Sequence, residues 1–450
     1  MIKIYALAPY RSRRAVLTSL GAAALVAGPA CTTGPSGAGG GETGSAPPAG
    51  ALKAGTKVSF AFSTAADQAS VMQRAVQAVP QKFPGVTAEF INTQGQGHNE
   101  KIQTSIAAGT PIDLFTLNPA ELPASVATNQ VRPIDDLIRR DKFDATDFFE
   151  KCYGQYKWKG KQYALPRGFG NQDVYYNTSL WDAAGIKRPP YDWNAKDWTS
   201  QEFLDSALKL SRLSAANQVW GWNQGTGLRQ WAPWVWMFGG DILDKDGALS
   251  ILDQPPAVEG LQFLQDLIHK HRVMPPPSAR LNSMTAMGSG QLGMAMGIPA
   301  ETGRYRALQG LSFDVAPMPR QVTRMTSGGG IAWHMAINTP NVNEAWEVQK
   351  WISSKEVQMW ECEVGGTAPP RKSVIQSPCF ADRTLPPKGV DVFLKAPDFV
   401  HTDPQAVGWI EAETIVQEGI MSLLEGAKTA RQMVQDVVPQ VNRILKANAR

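Results

Sequence analysis

Apolar residues along this chain recur at two spacings, and the switch between them outlines its elements. Lys57-Val58-Ser59-Phe60-Ala61-Phe62 alternates polar and apolar side chains, the period-two pattern of a strand. A helix is predicted from about Ala66 to Lys82, then a second strand over Val86-Thr87-Ala88-Glu89-Phe90-Ile91. A helix over 98–108 ends at Gly109, and Asp113-Leu114-Phe115-Thr116-Leu117 reads as a third strand. This β-α-β-α-β order predicts a parallel sheet with helices on its faces. Ligands of such sheets sit beyond the carboxyl ends of the strands, which here points to Asn118, Pro119, Ala120 and Glu121.

Farther on, Thr199-Ser200-Gln201-Glu202 and Thr429-Ala430-Arg431-Gln432 have the reciprocal hydrogen-bonding pattern of a capping box. Phe203, Leu204, Ala207 and Leu208 form one face behind the first; Met433, Val434, Val437, Val438, Val441 and Leu445 form one behind the second. Pro439 is expected to kink the latter helix. Pro256 opens another helix, with Val258, Leu261, Leu264, Leu267 and Ile268 at helical spacing. These stripes read as core packing. No internal repeat is present.

Composition narrows the function classes. The 450 residues are 43% hydrophobic and 19% charged, enough apolar material for a sizeable core. The net charge of +4 is small, and no basic run follows the first 14 residues, so nucleic acid is not an expected partner. Four cysteines without a CxxC pair give neither a disulfide scaffold nor a zinc site. No P-loop, GxGxxG turn, GxSxG elbow or HExxH is present, and Gly328-Gly329-Gly330 lacks the Lys-Ser/Thr of a phosphate cradle. No cofactor, metal or catalytic residue is expected.

The N-terminus reads as an address. Arg11, Arg13 and Arg14 precede the small apolar run Ala15–Ala30, too short to span a bilayer, and Arg13-Arg14 resembles a twin-arginine signal. Cys31 follows Gly28-Pro29-Ala30 as in a bacterial lipoprotein cleavage site, which makes it a candidate lipid anchor and the chain a candidate extracytoplasmic, membrane-tethered or periplasmic protein. Residues 1–30 are thus an expected export signal. The Gly/Ser/Pro-rich residues 31–56 cannot repay their ordering entropy by burial and form an expected flexible tether. Outside the cytoplasm Cys362 and Cys379 can pair across a loop, or can stay buried thiols with Cys152.

Trp220, Trp222, Trp231, Trp234 and Trp236 crowd into one stretch. A flat indole suits the C–H face of a sugar while polar neighbours satisfy its hydroxyls. Trp234 and Trp236 sit in an apolar helix-like run and are expected to pack; Trp231, after Gly225, Gly227 and Arg229, is a candidate for a cleft.

Several segments together resemble the extracellular solute-binding proteins of bacterial ABC importers, in the carbohydrate-binding family that includes maltose-binding protein. They are Ala107-Ala108-Gly109-Thr110-Pro111-Ile112-Asp113-Leu114-Phe115, Tyr163-Ala164-Leu165-Pro166, Val174-Tyr175-Tyr176-Asn177 running to Gly185-Ile186, and Gly288–Met296. Gly330–Ile337 with Glu344-Ala345-Trp346, and Pro369-Pro370-Arg371, complete the series in family order over roughly residues 57–450. The resemblance implies an α/β, two-lobed periplasmic-binding-protein-like fold with a hinge and a central ligand cleft. Lobe one is placed at 57–168 and 319–366, lobe two at 169–318 and 367–450.

It also implies capture of a sugar or oligosaccharide, delivery to the permease subunits of an importer, no bond making, and a monomer. Carried over position by position, it assigns ligand contacts to Asn118 and Glu121, to Asn171, Gln172 and Asp173, to Trp231 and Arg229, to Glu301 and Arg304, and to Trp409. Trp222 and Trp333 are lesser candidates. Gly170 stands where maltodextrin binders have a carboxylate, so maltose specificity is not implied. Two other readings compete. In one, Arg167, Arg229 and Arg304 converge on a glycerol-phosphate ester, or the ligand is a polyol. In the other, a secreted glycoside-acting enzyme carries two carboxylates across the cleft.

Overall fold

The computed structural model describes residues 52–94, 97–213, 218–365 and 368–449, all within one compact unit. The expected signal at 1–30, Cys31 and most of the 31–56 tether lie outside the described residues.

Two sheets organise the chain. The first runs in the order Val400–Thr402, Thr326–Met335, Leu114–Leu117, Thr56–Phe62, Val86–Asn92, and Ala164–Asn171 pairs along the free side of Thr326–Met335. The first three strands of the chain are parallel as the alternating pattern predicts, with Thr56 opposite Val86 and Phe60 opposite Leu114. The sheet is nevertheless mixed, because Thr326–Met335 runs antiparallel to both Leu114–Leu117 and Ala164–Asn171. Period two sorts its side chains: Val58, Phe60 and Phe62 enter one apolar cluster and Ala61 another on the opposite face. Helices Ala66–Lys82 and Val342–Ile352 cover the first of these faces.

The second sheet has the order Phe313–Ala316, Asp173–Asn177, Leu292–Gly297, Trp220–Asn223. Val174, Tyr176, Met294, Met296 and Ala316 point into one core; Tyr175, Ala295, Phe313 and Val315 point into the other. The larger core also takes helices Leu228–Met237, Pro255–His269, Trp409–Leu424 and Ala430–Asn448. Both predicted capping boxes close, Thr199 with Glu202 and Thr429 with Gln432. The final helix continues through Pro439, with its inward stripe of valines buried on both sides of the proline.

Passage between the sheets is short at one point. Asn171 ends a strand of the first sheet, Gln172 intervenes, and Asp173 begins a strand of the second. The Gln172 N–H donates to Thr326 Oγ1 at 3.0 Å, which ties this crossing to the returning one between Ala316 and Thr326. Cys362 and Cys379 form a disulfide, and Cys152 is a free, buried thiol.

Candidate functional site

Neighbouring cavities that share lining residues form a continuous cleft, lined by residues of both sheets and of the helices that pack on them. One, of about 400 Å³, is lined by Asn118, Ala120, Glu121, Leu228, Arg229, Gln230, Asp403, Ile410 and Glu413. Asn118 and Arg229 also line a second, of about 220 Å³, against Arg167–Gly170, Gly329–Ile331 and Ile298–Ala300. A third, of about 680 Å³, continues past Gln230 and Ile298 to Gln172, Asn223, Gln224, Asn282, Glu301 and Arg304.

Local chain geometry sets each contributor. The strand Leu114–Leu117 ends at Asn118, and Pro119 starts a tight turn. The Asn118 N–H donates to Glu121 Oε2 at 2.6 Å and the Asn99 amide donates to Glu121 Oε1 at 2.6 Å, which holds that carboxylate at the cavity wall. Across from it, Gly227 caps the helix Leu228–Met237 and its first turn places Arg229 and Gln230. The Arg229 guanidinium grips Asp403 with Nε at 3.1 and 3.2 Å from the two oxygens and Nη2 at 2.5 Å from one. Asp403 directly follows the first-sheet strand Val400–Thr402, so this pair joins segments belonging to the two sheets. Burial, with the Asp403 charge next in effect, holds the Glu413 carboxyl above its ordinary pKa.

The triple glycine explains itself here. A Cβ on Gly329 would lie 2.1 Å from Arg229 Nη2, one on Gly330 1.9 Å from the Gly168 carbonyl oxygen, and one on Gly328 2.2 Å from a Val400 methyl. The run exists to let a neighbouring strand and a guanidinium approach the sheet, not to cradle phosphate.

The polar candidates and the indoles part company. Asn118, Glu121 and Arg229 meet in one cavity, and Gln172, Glu301 and Arg304 line another. Burial raises the Glu301 carboxyl, whose Oε2 accepts the Ile298 N–H at 3.1 Å. Asn171 and Asp173 are buried at the sheet crossing, where the Asn171 amide donates to Asp173 Oδ2 at 2.5 Å. Neither lines the cleft cavities. The expectation that Trp231, Trp409 and Trp333 offer faces to a sugar is corrected: they are 1%, 0% and 0% exposed and sit in apolar clusters. Large indoles at helical spacing, as with Trp231 and Trp234, bury most area by turning to one core. Of the three arginines considered for a phosphate, Arg167 is buried against Glu361 at 2.5 Å and Arg229 is paired with Asp403, while Arg304 lines the third cavity.

Sequence reasoning missed Asp403, Glu413, Gln230 and Gln224. Asp403 and Glu413 stand in a late loop and helix with no local pattern, and only tertiary contact brings them to Arg229. Gln224 has a hidden signal in the tryptophan run. The indole N–H groups of Trp222 and Trp234 both donate to its Oε1, at 3.1 and 2.7 Å, and its Nε2 donates to the Gln230 carbonyl at 3.0 Å. The indoles therefore position an amide at the cleft instead of meeting ligand themselves.

A family model for bacterial extracellular solute-binding proteins matches residues 74–387. The chain belongs to this family. A Brucella abortus (strain 2308) protein assigned a binding role is 26% identical over 371 residues, 81% of this chain and 87% of the relative. The diacetylchitobiose binding protein DasA of Streptomyces coelicolor is 28% identical over 155 residues, 34% of this chain and 33% of the relative. Among solved structures, the ABC substrate-binding protein Lmo0181 of Listeria monocytogenes, in complex with cycloalternan, superposes with a TM-score of 0.76 at 20% identity, covering 86% of this chain and 98% of that one. The sugar-binding protein MalE of Xanthomonas citri gives 0.75 at 17% identity, covering 88% and 98%. These likenesses establish the two-lobed fold of the maltose-binding type. Among the described residues no helix is long and apolar enough to cross a membrane.

Proposed function

We propose that this family member captures a sugar or oligosaccharide between its lobes and delivers it to the permease of an ABC importer. The observation that carries the reading is the character of the cleft: amide side chains of Asn118, Gln172, Asn223, Gln224, Gln230 and Asn282 line it beside ion pairs that are already closed. Planar amides offer a donor and an acceptor side by side, which suits vicinal hydroxyls, and Leu228, Ile410 and Ile298 supply apolar surface for the C–H faces. Several relatives are named for oligosaccharides, which supports the same class.

In this reading residues 57–168 with 319–366 form one lobe and 169–318 with 367–450 the other, save that Phe169–Asn171 and Val400–Thr402 pair within the sheet of the first lobe. Ligand bridging them favours the closed form by its differential affinity. Residues 1–30 direct export, Cys31 carries the lipid anchor, 31–56 tether the lobes to the membrane, and the protein acts as a monomer without changing a bond of its ligand. A thermal-shift screen of mono-, di- and oligosaccharides, polyols and sugar phosphates tests it. A ligand at 100 times its Kd should stabilise the protein by about 2.7 kcal/mol. A shift with phosphate esters alone, or turnover of a glycoside in place of its intact recovery, overturns the reading.

A further inference from the structure

The charges of the cleft are unevenly placed. The cavity of about 400 Å³ holds three carboxylates, Glu121, Asp403 and Glu413, and a single cation, Arg229. Arg229 is committed to Asp403 through two of its nitrogens. The hydrogen bonds to Glu121 come from a backbone N–H and a neutral amide, which orient the carboxylate without cancelling its charge. Glu413 faces Asp403 and Glu121 with only Arg229 as a cation, and burial adds to their repulsion. The remaining lining residues, Asn118, Ala120, Leu228, Gln230 and Ile410, are uncharged.

The other cavities lack this excess. Arg167, at the second, is neutralised by Glu361, and the third has Glu301 and Arg304, one of each sign. A pocket in a solute cleft whose three carboxyl groups face a single guanidinium disfavours a phosphate or uronate and complements a cation. The space available and the adjoining amides fit a sugar ring that bears that cation.

We propose that this end of the cleft receives the protonated amino group of an amino sugar, so that the preferred ligand is a saccharide with at least one free amine. The inference rests on the sugar-binding reading and names the substrate class of the same site. Glu413 is the specificity-determining residue, with Glu121 opposite it and Asp403 held by Arg229.

The test is isothermal titration of the full chain with matched sets: glucose, glucosamine and N-acetylglucosamine; galactose, galactosamine and N-acetylgalactosamine; and the β-1,4-linked disaccharides of the first set. Titrations run at pH 6, where the free amines are protonated. In at least one set the free amine should bind tenfold or more tightly than both its neutral and its acetylated counterparts. That ratio should narrow as salt rises from 50 to 300 mM, and Glu413→Gln should reduce it below threefold. Amine binding should also release a proton wherever Glu413 is partly protonated, read as a dependence of the heat on buffer ionisation; Arg229, Asp403, Glu121 and the buried Tyr156 are the other charged or titratable groups coupled to this site. Neutral or acetylated sugars binding as tightly as the amine would overturn the inference and leave the sugar reading standing. Absence of binding by every saccharide overturns both. A preference that persists undiminished in both Glu413→Gln and Glu121→Gln also overturns it.

Discussion

The helix Leu228–Met237 serves two environments within ten residues. Its first turn, Leu228, Arg229 and Gln230, lines the cleft; the turns behind it, from Trp231 to Met237, are buried in the core of the second sheet. The first turn carries two polar side chains, and one of them, Arg229, is committed to Asp403 across the cleft. The body is apolar, and its side-chain polar contacts are two indole N–H groups, Trp234 donating to Gln224 and Trp236 to Asp241. Binding surface and packing surface are thus consecutive in sequence, and what separates them is direction around the helix and position along it.

Substitutions should pull these two regions apart. The largest effect is expected behind the wall: Trp231→Ala should cost about 3–5 kcal/mol of stability by urea unfolding, while Gln230→Ala, one residue away, stays within about 0.5 kcal/mol and weakens ligand binding. Equal stability losses would erase the distinction. The triple glycine gives a second contrast. Gly330→Ala drives a Cβ into the Gly168 backbone and should cost about 1–3 kcal/mol. Gly329→Ala meets only the end of a flexible guanidinium, so stability should change less while Arg229 turns from Asp403 and the ligand-induced shift falls.

Buried polar groups extend the comparison to pH. His334 is fully buried between Phe115 and Tyr156, and burial depresses its pKa to about 3. The unfolded chain then takes up a proton that the folded chain refuses. Stability should fall as pH drops from about 6.5 toward 3, by up to about 1.4 kcal/mol per pH unit, and His334→Phe should flatten that slope. At the cleft the sign reverses. Glu413 has a raised pKa, so the folded protein holds its proton longer and the ionised group costs stability as pH rises through that window. Glu413→Gln should therefore raise the apo Tm slightly at pH 7.5 and leave it unchanged below pH 4. A lower Tm at pH 7.5 would place Glu413 with the packing residues instead.

Much of the architecture could be read in advance, because it is written in local patterns. The first three strands, the helix after the first, and both capping boxes depend on residues within a few positions of one another, and all formed as expected. The candidate site was legible where the chain rule is also local, since Asn118 and Glu121 follow a strand end, whereas Arg229 came from the family resemblance. The indoles misled because a tryptophan between polar residues suits a sugar face and a core alike. Which one it meets depends on where neighbouring helices lie, and here the helices that carry Trp231 and Trp409 turn both indoles into one apolar cluster.

By itself the sequence determined the order of strands and helices, the apolar stripe of each, and a resemblance strong enough to name the family. Those are properties of spacing. Only the tertiary structure decided that Thr326–Met335 runs antiparallel to Leu114–Leu117 and Ala164–Asn171, that Gly329 makes room for Arg229, and that Asp403 and Glu413 stand beside Glu121. The charge of the cleft is a sum over residues almost three hundred positions apart, and such a sum exists only after long-range packing has brought them within Coulomb reach.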